Sequence, residues 1–205
     1  YQFLRGNKVE LLVDGQATYD SIMGGIENAE SYVLFQFYIL RSDDIGNRFK
    51  DQLIRKAGQG VSVYVLSDEL GSKGLESDWL ADFTDAGIQI LPFNTRQGPR
   101  NKFQLNFRNH RKIVVVDGKS TWLGGLNVGD DYLGKDPKLS PWRDTHLHIL
   151  GPVALASQAS FLVDWHWASH ELLTGLSWTP QAATDSNQNA LILASGPADK
   201  LETAS

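Results

Sequence analysis

The sequence predicts an α/β fold, an α-β-α sandwich built on a mixed, largely parallel sheet. Three observations carry that expectation. Short β-branched and apolar runs alternate with stretches of helical periodicity through roughly the first half of the chain, the pattern of βαβ crossovers. The run at 32–40, YVLFQFYIL, is too continuously apolar for an edge strand and calls for cover on both faces. The composition, 41% hydrophobic and 21% charged over 205 residues, is that of an ordinary globular chain with enough length for a sizeable core.

Taken in order, KVELLV at 8–13 reads as a strand closed by Asp14-Gly15, and 18–29 as a helix weakened by Gly24-Gly25, each glycine costing roughly 1 kcal/mol relative to alanine. The central strand 32–40 follows. Ile45, Phe49, Leu53, Ile54 and Ala57 are spaced for a helix over 44–57, which Gly58 and Gly60 end. A strand at 61–66, a helix at 77–86 and a strand at 88–93 complete the alternation. The pattern then changes. Residues 112–116 and 120–123 form a hairpin around Asp117-Gly118-Lys119, since Asp-Gly supplies the positive φ that tight turns need. Glycines at 124, 125, 129 and 134 follow, then a strand at 145–150 and a helix over 152–173 with Pro152 at its start. Residues 174–189 are polar and proline-broken, a linker, and ALILA at 190–194 reads as a new strand.

The absence of cysteine excludes a disulfide scaffold, a thiolate zinc site and a cysteine nucleophile. No apolar run approaches the ~20 residues of a membrane-spanning helix, so the chain as given is expected to be soluble. Nineteen basic against twenty-four acidic side chains give a net charge of −5, which argues against a nucleic-acid partner held by bulk positive charge. The cations are nonetheless concentrated. Between Thr95 and Lys112 lie Arg96, Arg100, Lys102, Arg108, Arg111 and Lys112 with no acid among them, a field suited to one anionic group or simply a solvated loop.

His110-Arg111-Lys112 leads into the IVVV strand, where residues i and i+2 share a side, so the imidazole and the ammonium point together. That pair suits phosphoryl chemistry: the imidazole attacks phosphorus or moves a proton near neutral pH, and the ammonium holds a phosphate oxygen. Asn127 adds a neutral donor, and Gly124 and Gly125 let backbone approach a bound phosphate.

The ordered set His110-x-Lys112-x4-Asp117-x6-Gly124-Gly125-x-Asn127 resembles the HKD signature of the phospholipase D superfamily. Around it, VELLVDG, FQFYI, FNTRQGPRNKFQLNFRNHRKIVVVDG, GGLNVGDDYLG, PWRDTHLHILGP and FLVDWHWAS are similar to stretches of bacterial cardiolipin synthases. The likeness runs from about residue 7 to 168 and resumes at ALILASGP, similar to the opening strand of that family's second half. It implies that His110 is the nucleophile or the acid–base histidine, that Lys112 and Asn127 bind phosphate oxygens, and that Asp144 is the acid holding the imidazole in its tautomer. Asp117 belongs to the catalytic signature by name, but its hairpin setting assigns it a structural role. Gln36, Tyr38, Gly124, Gly125 and Arg108 are expected to contact substrate. No metal and no cofactor is implied.

The resemblance also implies two HKD motifs facing each other, and this chain has one. The expected organisation is a phospholipase D-like domain over 1–175, a linker over 176–189, and the start of a truncated second half over 190–205. The chain opens on Tyr1, in keeping with a piece of a longer enzyme. That parent would use anionic phosphatidylglycerol as substrate and lie in the bacterial inner membrane, through membrane-spanning segments outside this chain. Two other readings remain. A second copy would complete the site in a homodimeric phosphodiesterase or nuclease, or the fragment would be an inactive module docking anionic lipid through the basic segment. A metal-site reading of His146, His148, His166 and His170 competes, although HWASH lacks the glutamate of HExxH. The aromatic stretch 161–167 reads as core packing of a helix or as a membrane-facing patch.

Overall fold

A computed structural model of the chain describes residues 2–93 and 109–194. In chain order its elements are β1 (Leu4–Val13), α1 (Asp14–Glu27), β2 (Tyr32–Phe37), α2 (Asp44–Gly58), β3 (Ser62–Asp68), α3 (Ser77–Asp85), β4 (Gln89–Phe93), β5 (Ile113–Val116), β6 (Ser120–Gly124), β7 (Thr145–Leu150), α4 (Ala154–Ser169) and β8 (Gln188–Ala190). A short 3-10 turn, Asp130–Leu133, lies between β6 and β7.

The strands form one mixed sheet in the order β4-β3-β2-β5-β6-β7-β1-β8. The sheet is mixed as expected, but it is not largely parallel. The pairs β2–β3 and β3–β4 are parallel, whereas β2–β5, β5–β6, β6–β7, β1–β7 and β1–β8 are antiparallel. The crossover logic itself holds: four successive antiparallel steps separate β1 from β2, so β1 to β4 all run the same way. The β5-β6-β7 meander is inserted between β1 and β2, and supplies the antiparallel pairs.

That insertion decides where function sits. The C-terminal ends of β1 to β4 share one edge of the sheet with the start of β5, the end of β6 and the start of β7. The registers Gln36↔Ile113, Ile113↔Leu123 and Gly124↔His146 place these ends side by side. In open α/β sheets the crevice beyond the carboxyl ends of the strands, where connections diverge, is where ligands bind.

Helices α1, α2 and α3 cover one face and α4 the other. On the first face Tyr19, Ile22, Phe49, Leu53, Trp79 and Phe83 pack on Val33, Phe35, Val65 and Val114. On the second, Phe161 and Trp165 pack on Tyr32, Leu34, Leu66, Ile113 and Val115. Alternation along β2 serves both cores, which is why it reads as a continuous apolar run. The glycine that weakens α1 has a packing reason: a Cβ on Gly25 would overlap the buried Trp122 indole. Helix α2 is capped by Asp43, whose carboxylate accepts from Gly46 N at 3.1 Å.

Two boundaries differ from expectation. Helix α4 stops at Ser169 rather than 173, because His170 takes a left-handed conformation (φ 61°) and its N–H closes on His166 O at 2.8 Å. The last strand is Gln188–Ala190 on the edge of β1, not 190–194. Between them, residues 177–188 stay attached to the domain. Gln158 Nε2 donates to Ser177 O at 2.8 Å, Ala183 N to Gly6 O at 2.8 Å, and Lys8 pairs with Asp185 at 2.6 Å. Among the described residues no helix is long and apolar enough to cross a membrane.

Candidate active site

The sheet edge gathers the motif. Asn109, His110, Arg111 and Lys112 lead into β5. Lys112 Nζ lies 3.0 Å from His110 Nδ1 and donates to His110 O at 2.7 Å, so the ammonium both anchors the backbone and meets the ring. The Tyr38 ring, just past the end of β2, packs against the imidazole at 4.6 Å between centroids, and Lys112 Nζ lies 5.4 Å from the centre of the same ring. Lys112 is buried, and that burial pulls its pKa down to about 8, partly opposed by the charge of Asp144. It is therefore cationic at neutral pH, and with its charge poorly solvated it is suited to an anionic ligand.

Asn127 is held from three sides. Its Oδ1 accepts from Ile39 N at 2.9 Å, its Nδ2 donates to Tyr132 Oη at 2.8 Å, and its carbonyl accepts from Tyr19 Oη at 2.6 Å. One amide hydrogen goes to Tyr132, and the carboxamide has a second. Burial raises the Tyr132 hydroxyl above its ordinary value, which keeps it a neutral hydrogen-bonding partner.

Asp144 precedes β7. Its carboxylate accepts from Thr145 N at 2.7 Å and Trp142 Nε1 at 3.3 Å, and its backbone is clasped by Asp14 through Asp144 N to Asp14 Oδ1 at 3.0 Å and Asp14 N to Asp144 O at 3.0 Å. The glycine pair has a steric meaning here. A Cβ on Gly125 would overlap the Asp144 carboxylate, and one on Gly124 would collide with His146 and the Thr145 carbonyl. Asp144 acts electrostatically on both Lys112 and His146. His146 is fully buried, and burial, with a smaller contribution from Lys112, lowers its pKa to about 4 against the opposing pull of Asp144.

Asp117 lies at the opposite end of β5. Its carboxylate accepts from Glu30 N at 2.9 Å, Ser31 N at 2.8 Å and Tyr32 N at 2.9 Å, tying the hairpin to the start of β2, while Asp117 and Gly118 carry the positive φ values (52° and 66°) of a tight turn. Those bonds account for the carboxylate without chemistry. Gln36 is engaged by α4, donating from Nε2 to Asp164 Oδ2 at 2.7 Å, and Arg111 pairs with the other oxygen of the same carboxylate. Arg108 and most of the basic 95–112 segment lie outside the described residues.

The histidines of the metal reading are dispersed. His148 stacks on Trp122 at 4.4 Å and meets Glu10 Oε2 at 3.2 Å, and His170 ends α4. Among the described residues no three His, Cys, Asp or Glu side chains are grouped to hold a metal. The aromatic stretch divides by face: Phe161 and Trp165 are core, while Val163 and Trp167 are exposed.

Two contributors escape sequence reasoning. Asp68, buried at the end of β3, accepts from Leu70 N and Gly71 N at 2.9 Å and from Asn109 N at 3.0 Å, so it moors the backbone one residue before His110. Its contact 41 residues away leaves no local signal. Asp164 did leave one: a lone acid between Phe161 and Trp165 on an apolar helix must find a buried cation or donor.

A histidine–lysine pair, an amide and an acid thus lie beyond the strand ends of an open α/β sheet. A family described as "Cardiolipin synthase, PLD-like domain" matches residues 22–136. Curated proteins named cardiolipin synthase A from Pseudomonas putida strain W619 and Pseudomonas fluorescens Pf-5 are 51% and 48% identical over 202 residues, 98% of this chain and 42% of theirs. Among solved structures, the phospholipase D family member Nuc from Salmonella typhimurium has a TM-score of 0.59 at 16% identity, covering 79% of this chain and 96% of its own. A phosphatidylserine synthase from Haemophilus influenzae scores 0.60 at 19% identity, covering 77% and 37%. The chain belongs to the phospholipase D-like domain family of the cardiolipin synthases, and it spans about 42% of the length of the curated relatives it matches.

Proposed function

We propose that this chain is the first catalytic half of a cardiolipin synthase-type phosphatidyltransferase, which converts two phosphatidylglycerol molecules into cardiolipin and glycerol through a phosphohistidine intermediate. The observation that carries the reading is the placement of His110, Lys112, Asn127 and Asp144 at one sheet edge, with Lys112 Nζ 3.0 Å from His110 Nδ1. The phospholipase D-like domain takes in the 176–189 stretch expected to be a linker, since Gln188–Ala190 pairs with β1, and the partner histidine belongs to a second half.

In the first step one histidine of the pair attacks phosphorus. The P–O bond to the glycerol headgroup breaks, and the departing alkoxide takes a proton from the second histidine. In the second step the primary hydroxyl of another phosphatidylglycerol gives its proton to that second histidine and attacks phosphorus, and the P–N bond breaks. His110 takes one of these two roles. Lys112 and the second amide N–H of Asn127 hold non-bridging oxygens as charge builds on them. Asp144 is assigned to holding the imidazole in its tautomer, Tyr38 is the platform on which the ring rests, and Asp117 is structural. Gly124 and Gly125 leave room for His146 and Asp144, so they shape the phosphate site from beneath. Gln36 acts through Asp164 and Arg111, and Arg108 is assigned to the lipid headgroup. A monomeric fragment lacks the second general acid–base and is inactive. The parent works at the membrane surface on anionic lipid.

The experiment is a product assay. The full-length parent in mixed micelles of phosphatidylglycerol is predicted to yield cardiolipin and glycerol in equal amounts, with His110→Ala reducing the rate at least a thousandfold. Cleavage of DNA without lipid transfer would replace this reading with a nuclease.

A further inference from the structure

His146 is a buried imidazole beside the motif that the proposed chemistry leaves idle. It has no exposed surface, and neither ring nitrogen has a hydrogen-bond partner among the described residues. A buried polar ring in that state either costs stability for nothing or finds its partners when the site is engaged.

The strand registers say what the ring faces. Lys112 lies two residues before Val114 and Gly124 two residues after Trp122, and Val114 and Trp122 pair with each other on the face covered by α1 to α3. Gly124 is in turn opposite His146. Lys112, Gly124 and His146 thus form one row across neighbouring strands, on the same face of the sheet. The middle member has no side chain. A Cβ on Gly124 would come within 2.5 Å of His146 Nδ1, so the imidazole lies over the glycine, in the gap that leads to Lys112. Asp144, two residues before His146, lies over Gly125. Asp144 and Lys112 are also the charges that act on His146.

The donor count fits that placement. A neutral imidazole offers one N–H and one acceptor nitrogen, and burial keeps this ring neutral near pH 7. The Lys112 ammonium has three hydrogens, of which one goes to His110 O and another faces His110 Nδ1. The Asp144 carboxylate accepts about four bonds, and Thr145 N and Trp142 Nε1 supply two. Each charge therefore retains capacity for the imidazole beyond what the motif takes.

We propose that His146 is a positioning residue: when phosphate draws Lys112 off His110 Nδ1, the neutral ring accepts from the Lys112 ammonium and donates to the Asp144 carboxylate, and so fixes the cation that holds phosphate relative to the acid that orients His110. The inference rests on the phosphatidyltransferase reading and adds to it a residue that never touches substrate.

The test is a pair of variants of the full-length enzyme, assayed by cardiolipin formation from phosphatidylglycerol. His146→Leu, similar in size and without a polar atom, is expected to lower kcat by about tenfold to a hundredfold, as loss of one hydrogen bond to a charged group implies, with KM changed less than about twofold. His146→Gln, whose carboxamide both accepts and donates, is expected to recover most of that loss. The alkaline limb is the readout that a packing role would not move. The titratable groups facing the Lys112 ammonium, His110, Asp144 and Tyr38, are all retained in both variants. An acceptor on the ammonium favours its charged form, so the limb is expected to move down by about one pH unit in His146→Leu and to stay in place in His146→Gln. A His146→Leu enzyme with wild-type kcat or an unmoved limb, or a His146→Gln enzyme as slow as His146→Leu, overturns the proposal. Should His146→Leu not fold, His146→Gln decides: retained kcat with an unmoved limb supports the bridge, and lost kcat overturns it. Should the wild type form no cardiolipin, the transferase reading fails on its own. Binding of inorganic phosphate against pH then decides the bridge. A lower alkaline midpoint in His146→Leu than in the wild type supports it, and equal midpoints, or no phosphate binding by the wild type, overturn it.

Discussion

Lys112 is where burial and charge set the working pH. Its pKa is lowered to about 8 from the ordinary 10.5 by desolvation, so the ammonium that meets His110 is present at pH 7 and lost as pH rises through 8. Activity is therefore predicted to fall above about pH 8. Lys112→Arg, which stays charged, should be slower but lack this alkaline limb in a kcat/KM profile. His146 makes the complementary prediction for stability. Its folded pKa is about 4 against 6.5 unfolded, so between those values the unfolded chain binds a proton that the folded chain does not. Stability then rises with pH from 4 to 6.5 and falls as pH drops through the same window. His146→Gln should flatten that part of the curve in denaturant titrations at pH 4.5, 5.5 and 6.5. The glycine pair shows why residue roles are only partly legible from a motif. Sequence spacing marks Gly124 and Gly125, but the lack of a Cβ is required by Asp144, just before the neighbouring strand, and His146 on it, a contact no spacing encodes.

At the scale of elements, the strands and helices follow from local signals. The 32–40 run, the helical spacing from Ile45 to Ala57 and the Asp-Gly hairpin all fall within a few residues of β2, α2 and the β5–β6 turn. Ends decided by single backbone conformations escape, as the left-handed His170 at the end of α4 does. What an element is for is harder to read. Helix α4 is apolar almost all round, yet its one buried acid ties the motif strand to the helix: Asp164 joins Arg111, next to His110, with Gln36 in β2. Removing the carboxylate leaves a half-buried guanidinium and a buried amide without that partner. Asp164→Ala is predicted to cost about 2–4 kcal/mol in chemical denaturation, with Asp164→Asn costing less. A loss below 0.5 kcal/mol would mean the pair is not structural.

For the whole molecule, the sheet order is the feature that composition and periodicity could not supply. Helical crossovers correctly imply that β1 to β4 are co-directional. Placing the β5-β6-β7 meander between β1 and β2 depends on packing across the entire chain. That placement brings residues from 14 to 146 onto one edge, among them a histidine–lysine pair, an amide and an acid, in a chain spanning about 42% of the length of its curated relatives. The central claim, that His110 belongs to a two-histidine centre forming a phosphohistidine, is tested most directly by trapping. Full-length protein mixed with phosphatidylglycerol labelled at phosphorus, quenched in denaturant near pH 8 and mapped by mass spectrometry, should show an acid-labile phosphatidyl group on a histidine of the site, with cardiolipin turnover abolished in His110→Ala. Absence of any histidine adduct under rapid quench, or turnover in His110→Ala near the wild-type rate, would contradict the account.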